Sequence, residues 1–306
     1  MLMDPLSWPA GVRTGVKLAP FTTWQVGGPA AYFTEPESVE ALQAAIATAR
    51  QAQMPWAVIG RGSNLLVSDA GFPGLVVRMG NAFAAVTVEG DRLTAQAGIP
   101  CAQFVMAGLN AGLGGLEGLV GVPGSIGGAI AMNASCHGVA VSDGFESGRV
   151  LRPDGSVEIW SRDDFRFAYR HSRLHEEQGV VLEGTWRMKP VDKAEGRAEV
   201  LRLQQWRHAK QPTNVPTGGS TFRNPDGSAA GALIEAVGAK GLQMGRAQVS
   251  EKHANFIVNL GGATADDINA LIGTLQRRVW DQHGIRLHPE VVGLGLSVGL
   301  GSDFFG

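Results

Sequence analysis

Apolar positions recur at helical spacing in a few stretches of the chain and alternate in many shorter ones. Residues 37–53 (ESVEALQAAIATARQAQ) put Val39, Leu42, Ile46 and Ala49 on one face, with Ser38 placed to cap, and predict a helix. Further helices are expected over 101–114, over the charged stretch 194–210, in AAGALIEAVGAKG and over 264–284. The last carries full punctuation: Thr264 at the N-cap, acids in the first turn, Gly284 at the stop. Short apolar runs at 55–60, 74–79, 84–90, 91–98, 179–188, 253–259 and 290–297 read as strands, and 148–160 as a hairpin turning at Asp154-Gly155. Two stretches have no apolar period: the glycine-rich 114–134 and the linker-like 212–225 (PTNVPTGGSTFRNP). Helices and strands mix without regular β-α-β alternation, which predicts an α+β fold with a boundary near 190–195 and no internal repeat.

A length of 306 residues suits two or three modest domains, and 44% apolar with 18% charged residues suits a soluble globular protein. The net charge of −2 provides no basic surface, so neither nucleic acid nor an anionic membrane is expected as a partner. No apolar run approaches the roughly 18 residues of a membrane span. The opening MLMDPLSWPAG has an Asp and two Pro where a signal peptide would have its apolar core, so the expected compartment is the cytoplasm. Cys101 and Cys136 lie far apart with no C-x-x-C, which argues against a disulfide framework and a zinc knuckle.

Composition changes the picture at one point, its 43 glycines, which cluster in a few loops. In 58–77 (VIGRGSNLLVSDAGFPGLVV), Gly60, Arg61, Gly62, Ser63, Asn64 and Leu65 follow a strand. Unhindered successive amides there could form a phosphate-holding nest; a tight turn that needs glycine for geometry alone explains the loop equally well. Leu65 occupies the sixth position of a would-be G-x-G-x-x-G, and no P-loop is present. In 122–134 (VPGSIGGAIAMNA), Pro123, Gly124, Ser125, Gly127, Gly128 and Ile130 would admit a flat ring or a diphosphate, or would serve close packing of two chain segments.

Candidate reacting groups are scattered. In FAYRHSRLH (167–175), Arg170, just after the aromatic Tyr169, could pair with a carboxylate or serve a surface salt bridge, while His171 and His175, with Glu176 and Glu177 nearby, lack the H-E-x-x-H order and read as surface histidines, so no metal is expected. Arg207 and Lys210 share a helical face; they could bind a diphosphate or simply complement the helix C-terminus. Glu290 begins a strand, aimed by Pro289 or merely solvated, and Ser220 is loop filler by composition.

Taken in order, TWQVGGPA (23–30), VIGRGSNLLVSDAGFPGLVV, GLEGLVGVPGSIGGAIAMNA, YRHS, RHAKQP, GGSTFRNP, residues 230–259 and HPEVVGLG resemble the UDP-N-acetylenolpyruvoylglucosamine reductase family. The match spans about residues 20 to 295. The resemblance implies a two-part FAD-binding domain of the vanillyl-alcohol-oxidase type (1–80 and 81–192) and a C-terminal α+β substrate-binding domain (193–289). The strand after about 290 would pack back on the first part. It implies tightly bound FAD, NADPH as hydride donor, and UDP-N-acetylglucosamine enolpyruvate as the substrate reduced to UDP-N-acetylmuramate for peptidoglycan, by a monomer. By position, Arg170, Ser220 and Glu290 would be catalytic. The two glycine loops would hold the cofactor. Tyr169, Arg207, Lys210, Asn224 and His253 would hold substrate. The stretch after YRHSRLH is too short for a long loop found in one subfamily, so the chain resembles the shorter, second type. NASCHG (133–138) departs from the family's usual NAGAYG at Ser135, Cys136 and His137. A flavin oxidase of the same fold, or a nucleotide-sugar binder without chemistry, would be the other readings.

Overall fold

The computed structural model describes residues 7–296. The chain divides into two compact units, and each is built from separated pieces. The first holds the residues up to Thr14, Tyr32–Arg61 and Gly74–Trp206; the second holds Gly15–Ala31, Gly62–Pro73 and the residues from Arg207 on.

In the first unit, helix α1 (Val39–Gln51) is capped by Ser38, whose Oγ accepts from the Ala41 amide, and it buries Leu42, Ala45, Ile46 and Ala49. Trp56–Ile59 pairs in parallel with the strand Phe72–Arg78, from Trp56 opposite Leu75 to Ile59 opposite Arg78. A five-stranded antiparallel sheet follows, in the order Val157–Ser161, Phe145–Leu151, Val180–Arg187, Arg92–Gln96, Val86–Glu89. The hairpin turn is larger than the dipeptide expected: the Arg152 amide donates to the Ser156 carbonyl at 2.8 Å, enclosing Pro153, Asp154 and Gly155. Helix α2 (Cys101–Asn110) and helix α3 (Ile126–Ala131) pack on this sheet, and one core runs through Phe104, Ile130, Phe145 and Trp186. The glycine-rich stretch 114–134 is therefore not all loop. It contains α3 and a 3-10 turn over Glu117–Gly121, because its apolar Ile126, Ala129 and Ile130 have a core to enter. Helix α4 (Lys193–Lys210) buries little beyond Gly196, Val200 and Leu203.

The second unit has its own core, including Trp24, Leu66, Phe222, Ile257, Ile268 and Leu271. Its four-stranded sheet runs Thr217–Ser220, Phe256–Asn259, Ala247–Val249, Gln243–Met244. The linker-like stretch 212–225 thus contains a strand, with Thr217 opposite Val258 and Ser220 opposite Phe256. Helix α5 (Ala230–Ala236) and helix α6 (Ala265–His283) cover this unit. In α6 the Thr264 hydroxyl and the Asp267 carboxylate form a reciprocal capping box, and Gly284 closes the helix in the left-handed region at φ 64°. Val292–Leu294 adds in parallel to Leu65–Val67, shorter than the strand expected over 290–297, of which Ser297 lies outside the described residues. No helix among the described residues is long and apolar enough to cross a membrane.

Candidate active site

The division of the chain falls inside the first glycine loop, after Arg61. On the first unit, the two loops meet. The Arg61 Nε–H donates to the Pro123 carbonyl at 3.2 Å. A Cβ on Gly60 would stand 2.2 Å from the Ser125 Oγ, so any other residue there would make the Ser125 hydroxyl turn away. The Gly124 carbonyl accepts from the Cys101 amide at 3.1 Å, and the Gly127 amide donates to the Ala97 carbonyl at 2.8 Å. Gly127 is required by that approach, since its Cβ would meet the Ala97 Cβ at 2.7 Å, whereas Gly128 is exposed and only the Ser125 Oγ, at 3.8 Å, is near. The Ile130 side chain is fully buried in the core.

The loop that follows leads to Arg170. Asn133 Nδ2 donates to the Ala168 carbonyl at 2.8 Å, and Ser172 Oγ donates to the Ala131 carbonyl at 2.6 Å. Asn133 Oδ1 is buried and accepts no hydrogen bond among the described residues. Tyr169 and Arg170 form the tip of a tight turn closed by reciprocal Ala168–His171 backbone bonds of 3.1 Å. Arg170 has φ 55°, its guanidinium lies 5.1 Å from the exposed Tyr169 ring, and its Nη1 donates to Ser135 Oγ at 2.6 Å. His171 and His175 stack at 5.2 Å, and His171 Nε2 lies 3.1 Å from Glu176 Oε1; no metal-binding cluster occurs among the described residues.

On the second unit, Gly62 is left-handed at φ 61°, and a Cβ there would stand 2.1 Å from the Phe21 carbonyl. The amides of Gly62, Ser63 and Asn64 donate to no protein group among the described residues, leaving a run of N–H groups that fits an anionic phosphate. Leu65 begins the short strand that pairs with Val292–Leu294. Asn64 Nδ2 donates to the Glu290 carbonyl at 3.0 Å, and the Val292 amide donates to the Asn64 carbonyl at 3.0 Å. Glu290 is tied on its other side to the segment of Ser220. Its amide donates to the Thr221 carbonyl at 2.8 Å, Pro289 bridges Phe222, and the Arg223 amide donates to the His288 carbonyl at 2.9 Å. Phe222 is 1% exposed and anchors this arrangement. Asn64, Glu290 and Thr221, the residue after Ser220, are thus tied by one hydrogen-bond network.

Gly218 has a different duty from its neighbours. A Cβ there would stand 2.5 Å from the ring of Trp24, which is fully buried and donates from Nε1 to the Ile257 carbonyl at 2.8 Å. Sequence reasoning had no signal for this contact. It also missed the structural work of Asn224, whose Oδ1 accepts from the Ala230 amide at 3.0 Å and so satisfies the first amide of α5. Arg207 donates from Nε to Gln211 Oε1 at 3.1 Å, and Lys210 is exposed at the end of α4. His253 is partly buried edge-on to Phe256 at 4.8 Å, and its Nδ1 accepts from the Asn255 amide at 3.3 Å. Burial pushes its pKa down, with Lys240 adding to the shift and a backbone hydrogen bond and Glu235 opposing it.

Comparison with known proteins gives the family. Residues 30–160 match the model of an FAD binding domain, and residues 211–294 match the C-terminal domain of UDP-N-acetylenolpyruvoylglucosamine reductase. The class is therefore a flavin oxidoreductase of mixed α+β architecture. A UDP-N-acetylenolpyruvoylglucosamine reductase of Parasynechococcus marenigrum is 43% identical over 298 residues, 95% of this chain and 99% of that one. One from Azorhizobium caulinodans is 43% identical over 279 residues, 91% of this chain and 90% of that one. The crystal structure of the reductase from Thermus caldophilus superposes with a TM-score of 0.80 at 35% identity, covering 92% of this chain and 99% of that chain. The chain belongs to the UDP-N-acetylenolpyruvoylglucosamine reductase family.

Proposed function

We propose that this protein reduces UDP-N-acetylglucosamine enolpyruvate to UDP-N-acetylmuramate with NADPH, as a cytoplasmic step of peptidoglycan precursor synthesis. The observation that supports the reading is the backbone bond tying Glu290 to Thr221, the residue after Ser220, in a chain that matches family members over nearly its whole length. Bound FAD would supply the two-electron hydride chemistry that links NADPH to the enolpyruvyl group. The amides of Gly62, Ser63 and Asn64, with Gly60, Arg61, Leu65 and the loop Pro123–Gly124–Ser125–Gly127–Gly128–Ile130, would hold it.

The protein's own groups handle charge and protons. Hydride arrival at C3 leaves an electron pair on C2 that spreads into the adjacent carboxylate. Arg170 pairs with that carboxylate and matters more as its charge grows. Glu290, in its protonated form, donates a hydrogen bond to the same enediolate. Ser220 gives its hydroxyl proton to C2, which completes the saturated ether, and regains a proton from solvent. Arg207 and Lys210 take the UDP phosphates, and Tyr169, Asn224 and His253 contact the remainder of the substrate.

The test is spectroscopic. The purified protein should absorb near about 450 nm as oxidised flavin, bleach on anaerobic addition of NADPH, and regain colour when the enolpyruvyl substrate follows. A protein that bleaches but stays bleached with substrate, or that consumes oxygen on small alcohols without NADPH, would refute the reading.

A further inference from the structure

The side chain of Arg170 is held by a residue that departs from the usual family motif. Its Nη1 donates to Ser135 Oγ at 2.6 Å, and its Nη2 reaches the Ser135 carbonyl at 3.4 Å. The two residues are 35 apart in sequence, yet the backbone around both is fastened. The turn carrying Arg170 is closed by the paired 3.1 Å bonds between Ala168 and His171. The strand pair Ser135–Cys136 and Val139–Ala140 fixes the other side. Between them, Asn133 Nδ2 holds the Ala168 carbonyl at 2.8 Å, and the fully buried Ser172 holds the Ala131 carbonyl at 2.6 Å. The segments 131–135 and 168–172 are therefore cross-linked at three points, and the third of these is the Ser135–Arg170 contact itself.

An arginine side chain has many rotamers, and a guanidinium recognises a carboxylate only when its planar fork is aimed. The rigid turn aims the Cα–Cβ bond. The Tyr169 ring, 5.1 Å from the guanidinium carbon, offers one face. The Ser135 hydroxyl fixes the end of the fork, as an oxygen acceptor of a charge-assisted hydrogen bond. The residue at 135 must carry an oxygen on its β-carbon to do this; glycine or alanine would keep only the longer carbonyl contact.

We infer that Ser135 is a positioning residue for the reaction with substrate, holding the Arg170 guanidinium in the orientation that meets the substrate carboxylate. This rests on the reading of Arg170 given above. Its effect belongs to the half-reaction in which the carboxylate is present, and not to the one in which NADPH is oxidised.

The experiment uses anaerobic stopped-flow on the FAD-loaded protein, with the two half-reactions read separately, for the wild type, Ser135→Ala, Ser135→Thr, Arg170→Ala and the double variant Ser135→Ala/Arg170→Ala. Reoxidation of the NADPH-reduced protein by the enolpyruvyl substrate should slow roughly 10- to 100-fold in Ser135→Ala, the size expected for one hydrogen bond to a charged group. Reduction by NADPH should stay within twofold, which also reports an intact fold. Ser135→Thr should restore the rate, and Ser135→Ala should add nothing further in the Arg170→Ala background. The inference is overturned if Ser135→Ala reoxidises at the wild-type rate while Arg170→Ala is slow, if threonine fails to restore the rate, or if the two losses multiply. If Arg170→Ala itself reoxidises at the wild-type rate, the role of Arg170 falls first and takes the inference with it.

Discussion

The Glu290 amide donates to the carbonyl of Thr221 at 2.8 Å, so the Glu290 backbone, just ahead of the last described strand, is fastened beside the residue that follows Ser220. A contact between backbones tolerates side-chain replacement. Ser220→Ala should therefore leave the network, the bound FAD and NADPH oxidation intact. Reoxidation by substrate should slow by roughly 10²- to 10⁴-fold, the usual worth of a positioned proton donor. Single-turnover reoxidation monitored at the flavin band gives the answer, and a normal rate would remove Ser220 from the mechanism.

Gly218 and Trp24 make a prediction about stability. Gly218→Ala would drive a methyl into a buried indole that is itself hydrogen-bonded to the Ile257 carbonyl. Overpacking of this kind costs roughly 1–3 kcal/mol, so the unfolding midpoint in urea should fall with little change in slope. The neighbouring Ser220→Ala serves as the control and should not shift the midpoint comparably.

The two cysteines should differ sharply in reactivity. Cys101 is fully buried at the start of α2, and burial pushes its thiol up to about 12, while Cys136 is only half-buried. Thiolate is the reactive form. A maleimide at neutral pH should therefore label Cys136 and spare Cys101 until the chain is unfolded, which mass spectrometry of the peptides would read. Prompt labelling of Cys101 in the folded protein would contradict this packing.

His253 gives a pH dependence with a definite sign. Its folded pKa is lowered, chiefly by burial, so the unfolded chain binds the proton more readily. The stability that the neutral ring contributes is complete above the unfolded value of about 6.5 and is lost as pH falls through the folded one. His253→Gln, which has no charge to bury, should lose less stability than the wild type between neutral pH and mildly acidic pH in denaturant titrations. Equal losses would show that another group governs the acid limb.

How much of this was legible in the sequence depended on range. Helix α6 was readable end to end because its signals are local: Thr264 and Asp267 cap within one turn, and Gly284 stops the chain in place. Helix α3 was hidden in a glycine run whose apolar residues show no period until a core receives them. The strand Thr217–Ser220 looked like a linker because its pairing partner lies some forty residues on, at Phe256–Val258. Motif resemblance named Arg170, Ser220 and Glu290, but not what holds them. The Ser135 contact depends on a turn with φ 55° at Arg170, and the Trp24–Gly218 contact joins residues 194 positions apart in the same register as the Thr23–Thr217 hydrogen bond. No local pattern encodes either.

The tie between Asn64 and Glu290 spans 226 residues, and with the strand pair beside it this bond closes the second unit. A nascent chain elongates at about 5–20 residues per second. The segment around Leu65–Val67 is therefore made early and must wait some 10–45 s before its partner strand has been synthesised, by the same rate. During that interval two buried valine and leucine side chains of the final structure, Leu66 and Val67, have no strand beside them. The first unit can assemble while the second is still being written, and the protein should complete the Gly62–Leu65 half of its glycine loop last.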